Sequence, residues 1–317
     1  MAYIFNARST SDDVLAGNNL HGKRFFITGV SAGLGVETAR ALVAHGADVV
    51  GAVRNLAKAE AATPSVRETV RTNGGSFTLV ELDLANLTSV RACSDKLLSN
   101  DRKFDVIIAN AGVMATPFRH TQDGFEMQFG TNHLGHFVLV NRMAPLIVDG
   151  GRVVTLSSAG HRLSDIDLQD PNFEHTKYDP WLAYGRAKTA NALFAVAFDH
   201  RHRNNGIRAC SVMPGAISTE LARDVDETAY QALIENMKRA NAPALPYKNI
   251  PEGAATTLWA AVIAKADEIG GQYCEDCGVA PITPGESIRY GAMAYALDST
   301  NAEKLWTKSE EMVGEHF

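Results

Sequence analysis

Short apolar runs alternate with longer runs of mixed apolar and polar residues between Arg24 and Gln272. Near-continuous apolar runs are typical of strands that are buried on both faces of a sheet. The longer runs carry apolar residues at helical spacing, as at Leu193, Val196 and Ala197. The pattern therefore predicts an α/β fold in which helices cover both faces of an open parallel sheet.

Six strands and five helices are predicted. The strands span residues 24–28, 48–54, 76–81, 106–109, 152–156 and 207–212, and the helices span residues 11–17, 36–44, 125–146, 183–203 and 301–313. No linker rich in proline, glycine or serine interrupts the alternation. We therefore expect one domain over residues 1–317, with an N-terminal extension over residues 1–20 and a C-terminal tail over residues 281–317.

A glycine-rich turn follows the first predicted strand directly, and a helix follows the turn. Its sequence is Gly29-Val30-Ser31-Ala32-Gly33-Leu34-Gly35. Glycines let the chain bend sharply, and they let a pyrophosphate approach the backbone amides at a helix N-terminus. The spacing is G-x-x-x-G-x-G rather than G-x-G-x-x-G, but its place between strand and helix predicts a dinucleotide-binding loop. A purely structural tight turn is the alternative.

Tyr184 and Lys188 lie four residues apart on the predicted helix 183–203, so they share a helix face. An ammonium beside a phenol favours the phenolate, and we expect it to pull the pKa of Tyr184 below its ordinary value of about 10. A tyrosine tuned in this way can donate or accept a proton near neutral pH. The spacing alone also fits a solvated helix face, but together with the glycine loop it indicates a reductase or dehydrogenase.

Six motifs occur in order along the chain. They are Thr28-Gly29 with Gly33 and Gly35, Asn110-Ala111-Gly112, Asn132, Ser157-Ser158, Tyr184 with Lys188, and Pro214-Gly215. In this order they resemble the motifs of the short-chain dehydrogenase/reductase family, over nearly the whole chain. The run from Ala183 to Asn191 is most similar to the branch that contains retinol dehydrogenases and the WW-domain oxidoreductase. The resemblance implies a Rossmann-type, doubly wound parallel sheet in three layers.

The family resemblance also implies roles for individual side chains. Tyr184 would donate a proton to a carbonyl oxygen in reduction, or deprotonate an alcohol in oxidation, while hydride moves to or from a nicotinamide. Lys188 would hold the ribose hydroxyls and keep the Tyr184 proton labile. Ser158 would donate a hydrogen bond to the substrate oxygen, with Ser157 as the alternative. Asn132 would position a water between Lys188 and solvent, unless it is a structural amide at a helix kink.

The residues at the end of the second predicted strand indicate the choice of cofactor. An NAD-preferring site would have a carboxylate there, but Val53 occupies that position and Arg54 follows. A guanidinium can bind a 2′-phosphate with paired hydrogen bonds, which favours NADP(H) over NAD(H). Ala32 weakens this preference because many NADP-dependent relatives carry a second basic residue in the glycine loop. Alternatively, Arg54 only caps a surface loop.

Further cofactor contacts are carried over from the family. They are Gly29, Ser31, Ala32, Gly33, Leu34, Gly35, Asp83, Leu84, Asn110, Ala111, Gly112, Pro214, Gly215 and Thr219. Two of these positions have another interpretation: Asp83 fits the N-cap of the following helix, and Thr219 fits a cap of the helix after it.

Two long segments, residues 160–182 and 220–251, would frame the substrate pocket. Their aromatic and stiffening residues are Phe173, Tyr178 and Trp181 in the first, and Tyr230, Met237, Pro243, Pro246, Tyr247 and Pro251 in the second. Long loops in compact domains are often binding loops, so we expect a mostly apolar pocket for a lipid, steroid, retinoid or aromatic carbonyl. The alternative is that these aromatic side chains only pack the loops. His161 and Trp181 are candidate substrate contacts.

The bulk composition limits partners and location. The net charge of −6 argues against a nucleic-acid partner. No apolar run reaches the roughly 20 residues that a membrane helix needs, and residues 1–20 lack the apolar core of a signal peptide. We therefore expect a cytoplasmic enzyme with no membrane partner, acting on a small carbonyl or alcohol. By resemblance it would form a homodimer or homotetramer through the helices that carry Asn132 and Tyr184, unless the C-terminal tail covers that surface or the pocket.

Four cysteines suit a reducing compartment, and Cys274 and Cys277 form a C-x-x-C motif. A zinc site would need a second ligand pair, and a thioredoxin-like role would need its own fold, so we interpret the pair as two cysteines in a loop after the last strand. His133 and His136 are read as helix residues rather than metal ligands. No metal is expected.

Two other functions remain open on the sequence. A reductase of conjugated C=C bonds would use the same cofactor and Tyr184. A non-catalytic dinucleotide-sensing scaffold would carry a damaged catalytic set, whereas this chain retains Asn132, Ser158, Tyr184 and Lys188.

Overall fold

A computed structural model describes residues 5–221, 246–283 and 290–317, together with isolated positions between 225 and 235. Met237 and Pro243, which were expected to line the second substrate segment, lie outside the described residues.

The described strands form one large and one small sheet. They are β1 (Arg24–Thr28), β2 (Asp48–Val53), β3 (Ser76–Glu81), β4 (Phe104–Ala109), β5 (Ile147–Leu156), β6 (Arg208–Met213), β7 (Ala216–Ile217), β8 (Tyr247–Lys248), β9 (Tyr273–Glu275) and β10 (Gly278–Val279). The large sheet has the order β10-β9-β6-β5-β4-β1-β2-β3, and β7 pairs with β8. All neighbours in the large sheet are parallel except β9 and β10. The doubly wound three-layer fold is confirmed, with an antiparallel strand added at one edge.

The described α-helices outnumber the five predicted ones, and those that were predicted differ mainly at their ends. They are α1 (Ser11–Leu15), α2 (Gly33–Ala44), α3 (Leu56–Ala62), α4 (Pro64–Asn73), α5 (Leu87–Ser99), α6 (Met127–Phe129), α7 (Gly135–Met143), α8 (Pro180–His202), α9 (Ile250–Leu258), α10 (Ala266–Ile269) and α11 (Ser299–Val313). Helix α8 begins at Pro180 because Asp179 accepts hydrogen bonds from the amides of Trp181 and Leu182. A π-helix, Gly130–Leu134, joins α6 to α7 within the helix predicted over 125–146.

Alternation along the strands builds two cores, one on each face of the sheet. In β1, Phe26 faces one core, which also contains Ile107 and Val153. Its neighbours Phe25 and Ile27 face the other core. Burying each such side chain contributes roughly 1.5–3 kcal/mol before conformational entropy is subtracted. The sheet is therefore held from both sides, as its near-continuous apolar strands predicted.

The order of the strands reverses between β1 and β4. The chain adds β2 and β3 on one side of β1, and then returns to add β4, β5 and β6 on the other side. The loops that leave the carboxyl ends of β1 and β4 therefore diverge, and a crevice opens between them. Gly29 follows β1 and Asn110 follows β4, so two of the sequence motifs flank this crevice.

Helix α11 covers the outer face of α7 and α8. The Trp306 ring lies edge-on to Phe137 at 5.0 Å and stacks with Phe194 at 6.0 Å. Above it, the Arg201 guanidinium lies 3.8 Å from the centroid of the indole. This part of the tail thus packs on the helices through which pairing was expected; the oligomeric state stays a prediction.

The interpretation of the C-x-x-C motif as a loop after the last strand is wrong. Cys274 lies within β9, and Cys277 lies in the tight turn between β9 and β10, with a positive φ of 58°. Burial raises the pKa of the Cys277 thiol to about 11, so the thiol stays protonated. Within the described ranges, no group of three or more His, Cys, Asp or Glu side chains could hold a metal ion. Nor does that part of the chain contain a helix long and apolar enough to cross a membrane.

Candidate active site

Ser158 and Tyr184 meet at the carboxyl end of β5. Ser158 comes two residues after β5 and begins a 3-10 helix (Ala159–Leu163), where its Oγ accepts a hydrogen bond from the Gly160 amide at 3.0 Å. Its side chain is also hydrogen-bonded to that of Tyr184 on the first turns of α8. Gly160 allows this approach, because a Cβ there would lie 2.7 Å from Cε1 of Tyr184.

Ser157 points away from this pair. Its Oγ donates a hydrogen bond to the backbone carbonyl of Lys188 at 2.7 Å and is buried beneath α8. Neighbouring residues of an extended chain face opposite sides, so only one of the two serines can reach the phenol. The structure places Ser158 there.

Lys188 lies one helical turn beyond Tyr184. Its Nζ donates to the carbonyl oxygen of Leu156 at 2.9 Å and lies 5.6 Å from the centroid of the Tyr184 ring. Both side chains are only 4% exposed. Burial lowers the pKa of Lys188 to about 8, because it penalises the charged ammonium.

The expected lowering of the Tyr184 pKa is wrong for this arrangement. Burial raises the pKa of Tyr184 to about 12, and the hydrogen bond from Ser158 opposes this only in part. The physical reason is that a buried phenolate loses its hydration, while the Lys188 ammonium is directed at the Leu156 carbonyl. At neutral pH the phenol therefore keeps its proton.

Asn132 lies in the π-helix between α6 and α7. Its side-chain amide accepts from the Val113 amide at 2.8 Å and donates to the Val113 carbonyl at 2.9 Å. Its backbone carbonyl accepts from Nδ1 of His136 at 2.9 Å. A Cβ on Gly112 would lie 2.9 Å from Asn132 Oδ1 and 3.7 Å from Lys188 Nζ, so these two side chains flank Gly112. The amide thus has the structural role that the sequence left open, and the bridging water stays a prediction.

The glycine loop has the geometry that an anion requires. Gly29 and Gly33 have positive φ values of 80° and 52°, and a Cβ on Gly35 would lie 2.2 Å from the Gly29 carbonyl oxygen. Ala32, at the N-cap of α2, provides no side-chain hydrogen bond to the first-turn amides. These amides and the positive end of the helix dipole are therefore suited to hold a pyrophosphate.

Arg54 and Asp83 follow β2 and β3 at the same edge. Arg54 is exposed, and among the described residues it has no hydrogen bond or ion pair, so nothing holds it away from a phosphate. Asp83 accepts from the Ala85 amide at 3.0 Å, whereas the N-cap of α5 is Asn86. The N-cap interpretation of Asp83 is therefore wrong. Leu84 is buried.

The remaining cofactor candidates come together from β4 and β6. Asn110 donates through Nδ2 to the Thr28 carbonyl at 2.8 Å, which ties the end of β4 to the end of β1. Beyond β6, Thr219 comes so close to the glycine loop that a Cβ on Gly33 would lie 3.2 Å from its methyl group. Its hydroxyl accepts from the Leu221 amide at 3.3 Å, which is the local cap considered from sequence. Pro214 and Gly215 connect β6 to β7.

The two candidate substrate contacts have different surroundings. Trp181 is partly exposed and lies edge-on to Tyr184 with 6.3 Å between ring centroids. His161 is fully buried: Nδ1 donates to the Ser158 carbonyl at 2.7 Å, and Nε2 accepts from the Met293 amide at 3.1 Å. His161 as a substrate contact is therefore wrong, because both ring nitrogens already have partners.

Other aromatic side chains of the first substrate segment serve packing. Phe173 and Tyr178 lie 5.1 Å apart, and the Tyr178 hydroxyl lies 2.9 Å from the Thr116 carbonyl. Arg186, two residues after Tyr184, lies over the Phe173 ring at 4.4 Å and donates to the Asp170 carbonyl at 3.1 Å. The segment is a fixed wall next to α8, so for Phe173 and Tyr178 the packing alternative is correct.

Sequence reasoning gave no role to the side chains of Thr28 and His136, which bond to each other at 2.9 Å beside this site. The available signal was the four-residue spacing of Asn132 and His136, which places both on one helix face.

Comparisons with known proteins agree with this geometry. A family model described as short chain dehydrogenase matches residues 23–229. The chain is 38% identical to the short-chain dehydrogenase/reductase prx1 of Penicillium roqueforti, over 97% of this chain and 91% of that protein. It is 34% identical to human retinol dehydrogenase 14, over 93% of this chain and 87% of that protein. A crystal structure of a protein from Mycobacterium paratuberculosis superposes with a TM-score of 0.73 at 35% identity, covering 96% of this chain and 98% of that one.

Fold, motifs and relatives together define an oxidoreductase with a doubly wound dinucleotide-binding fold. The chain belongs to the short-chain dehydrogenase/reductase family, near its retinol dehydrogenase branch.

Proposed function

We propose that this protein interconverts a carbonyl and an alcohol on an apolar or aromatic small molecule, with NADP(H) as cofactor and Tyr184 as the acid/base. The observation that carries the proposal is the hydrogen-bonded pair of the half-buried Ser158 and the buried Tyr184. Lys188 lies beside it, at the edge of the sheet where the uncapped glycine loop opens.

The nicotinamide, when bound, supplies or accepts the hydride. In reduction, Ser158 donates a hydrogen bond to the substrate oxygen, and Tyr184 gives that oxygen its phenolic proton. The pKa of about 12 keeps Tyr184 protonated at neutral pH, as a proton donor must be. In oxidation the same phenol must first lose its proton, so this direction requires higher pH or a further positive charge.

Lys188 supports this proton transfer. Its Nζ has three donor hydrogens, of which the Leu156 carbonyl takes one. The other two are available for ribose hydroxyls. With a pKa of about 8, Lys188 is mostly charged at neutral pH and favours loss of the Tyr184 proton during turnover.

The preference for NADP(H) is supported by Arg54. This guanidinium is exposed at the end of β2, next to Val53, where an NAD-preferring site would carry a carboxylate. A 2′-phosphate would provide the missing partner for the side chain through charge-assisted hydrogen bonds.

The substrate class is supported by Trp181 and by the relatives. Trp181 gives the entrance beside Tyr184 an aromatic wall. Human retinol dehydrogenase 14 carries a name that refers to an apolar polyene alcohol. An apolar carbonyl or alcohol fits both.

The test measures NADPH and NADH oxidation with ketones, aldehydes, retinoids and steroids, and NADP+ reduction with the matching alcohols. Tyr184→Phe should lower kcat by about 10²-fold or more, because the proton donor is lost. The matched control Tyr290→Phe removes an equivalent hydroxyl from a ring that is 49% exposed and lies outside both substrate segments, and should leave kcat unchanged.

Three outcomes contradict the proposal. Turnover that survives Tyr184→Phe removes Tyr184 from its role. Enone products saturated at the C=C bond identify the alternative reductase. Dinucleotide binding without turnover on the whole panel identifies a scaffold.

A further inference from the structure

A continuous hydrogen-bond chain runs beneath the site. The Nδ1 atom of His136 lies 2.9 Å from the Asn132 carbonyl oxygen, and its Nε2 lies 2.9 Å from Oγ1 of Thr28. Thr28 Oγ1 in turn lies 2.9 Å from the backbone amides of both Asn110 and Ala111. Thr28 is fully buried and His136 is 2% exposed, so water does not compete for these bonds.

The chemistry of the partners fixes the direction of every bond. The Asn132 carbonyl can only accept, so Nδ1 of His136 carries the proton and Nε2 of the neutral ring accepts. The Thr28 hydroxyl therefore donates to Nε2, and its two lone pairs accept from the amides of Asn110 and Ala111. All groups of this hydrogen-bond chain are paired when His136 is the tautomer with the proton on Nδ1, and in no other tautomer.

Three segments of the site are joined by this chain. Thr28 ends β1 immediately before the glycine loop, and Asn110 and Ala111 follow β4. Asn132 lies in the π-helix and binds the segment after β4 through Val113. We propose that His136 is a positioning residue: it orients the Thr28 hydroxyl that holds Asn110 and Ala111, and it holds the π-helix at Asn132 against this floor.

The two ends of this hydrogen-bond chain should have separate effects when each is removed by substitution. Loss of the Thr28 hydroxyl leaves the half-buried Ala111 amide without this partner and the Asn110 amide with only the Ile108 carbonyl at 3.1 Å, and the floor of the dinucleotide site shifts. Loss of the bond from Nδ1 releases the Asn132 carbonyl, and the position of Asn132 beside Gly112 and Lys188 changes. The first change should weaken cofactor binding, and the second should lower kcat. The kinetic half of this inference rests on the proposed function.

The first experiment compares Thr28→Val with Thr28→Ser by NADPH fluorescence titration. Valine keeps the shape without the hydroxyl, and we expect the cofactor Kd to rise about tenfold to hundredfold. Serine restores the hydroxyl, and the Kd should return to within about threefold of the original. Equal effects of valine and serine would assign the loss to packing and overturn the role of Thr28.

The second experiment divides the two bonds of the imidazole. In His136→Asn the amide nitrogen occupies the place of Nδ1 and can still donate to the Asn132 carbonyl. In His136→Gln the amide oxygen reaches toward the place of Nε2 and can still accept from Thr28. We expect His136→Asn to weaken cofactor binding while kcat is largely kept, and His136→Gln to lower kcat while the cofactor Kd is largely kept. Equal losses of both parameters in both variants would show a merely structural residue.

A readout without turnover separates this inference from the proposed function. Long-range 1H–15N spectra of the histidine rings in the cofactor-free protein should show His136 with a protonated Nδ1 and a bare Nε2. Its signal is assigned by its loss in either His136 variant, or by its shift in Thr28→Ser if neither variant folds. The opposite tautomer overturns the inference even when the enzyme is active. Conversely, the expected tautomer in a protein that binds no dinucleotide rejects the proposed function alone.

Discussion

Gly160→Ala tests whether the position of the Tyr184 ring governs the chemical step. An added Cβ would lie 2.7 Å from Cε1 and 2.8 Å from Cδ1 of Tyr184, and 3.4 Å from Ser158 Oγ. Carbon atoms in contact are ordinarily about 3.5–4.0 Å apart, so the ring must retreat by about 1 Å. Gly160 does not have a positive φ, so alanine meets a steric conflict there without backbone strain.

A displacement of about 1 Å can cost about 10²-fold in rate, because proton donor and substrate oxygen lose their alignment. We therefore expect kcat to fall by about 10²-fold. The cofactor Kd should change by less than about twofold, since the glycine loop is on other elements. The assay is carbonyl reduction under saturating NADPH, with cofactor titration and a thermal melt on the same protein.

Gly278→Ala is the matched control, because a Cβ there meets only the Glu275 carbonyl oxygen at an ordinary 3.8 Å. It should keep the kcat and the cofactor Kd of the unmodified protein. A folded Gly160→Ala protein with unchanged kcat would refute the reasoning, since the ring could then move without consequence.

The remaining predictions concern cofactor choice, pH and stability. Arg54→Asp should change the preference from NADPH to NADH, measured as the ratio of their kcat/KM values, because a carboxylate repels the 2′-phosphate and binds ribose hydroxyls. An unchanged ratio would show that Arg54 does not contact the cofactor. Burial raises the pKa of Tyr184 to about 12, so below that pKa the phenolate fraction grows about tenfold per pH unit. The rate of alcohol oxidation should therefore rise between about pH 6 and 8, whereas the rate of carbonyl reduction should not. A pH-independent oxidation rate would contradict this assignment. Trp306→Ala should lower the free energy of unfolding by about 3–5 kcal/mol, because it removes a ring that is only 4% exposed and packs between α11 and the helices α7 and α8. Denaturant titration measures this free energy. A loss below about 1 kcal/mol would show that α11 does not stabilise the two helices.

Much of the site was predictable because local chemistry determines it. The glycines at positions 29, 33 and 35 are required by backbone conformation and close approach, and such demands are visible in a single short segment. Strand boundaries at β1 and β3 followed from apolar runs alone. The preference for Ser158 over Ser157 came from the family motif together with strand alternation, and the structure turns Ser158 toward Tyr184.

The failures share one cause, which is that the environment of a side chain comes from distant segments. His161 was expected at the substrate, but Met293, over 130 positions along the chain, takes its free nitrogen. Asp83 is the exception, because its N-cap interpretation failed for a local reason: Asn86, a few residues further on, is the N-cap of α5. The sequence left open which surface the C-terminal tail covers. The packing of Trp306 on α7 and α8 answers this question for α11.

The chain by itself determined the class of fold, the dinucleotide loop and the candidate side chains of the active site, because periodicity, glycine requirements and residue type are properties of short segments. Only the tertiary structure decided the state of those side chains. It raised the pKa of Tyr184 through burial, directed Lys188 at the Leu156 carbonyl, and joined Thr28 to His136 through a hydrogen bond between residues 108 positions apart. Desolvation and long-range hydrogen bonds depend on how all layers pack together, so no local pattern could have shown them.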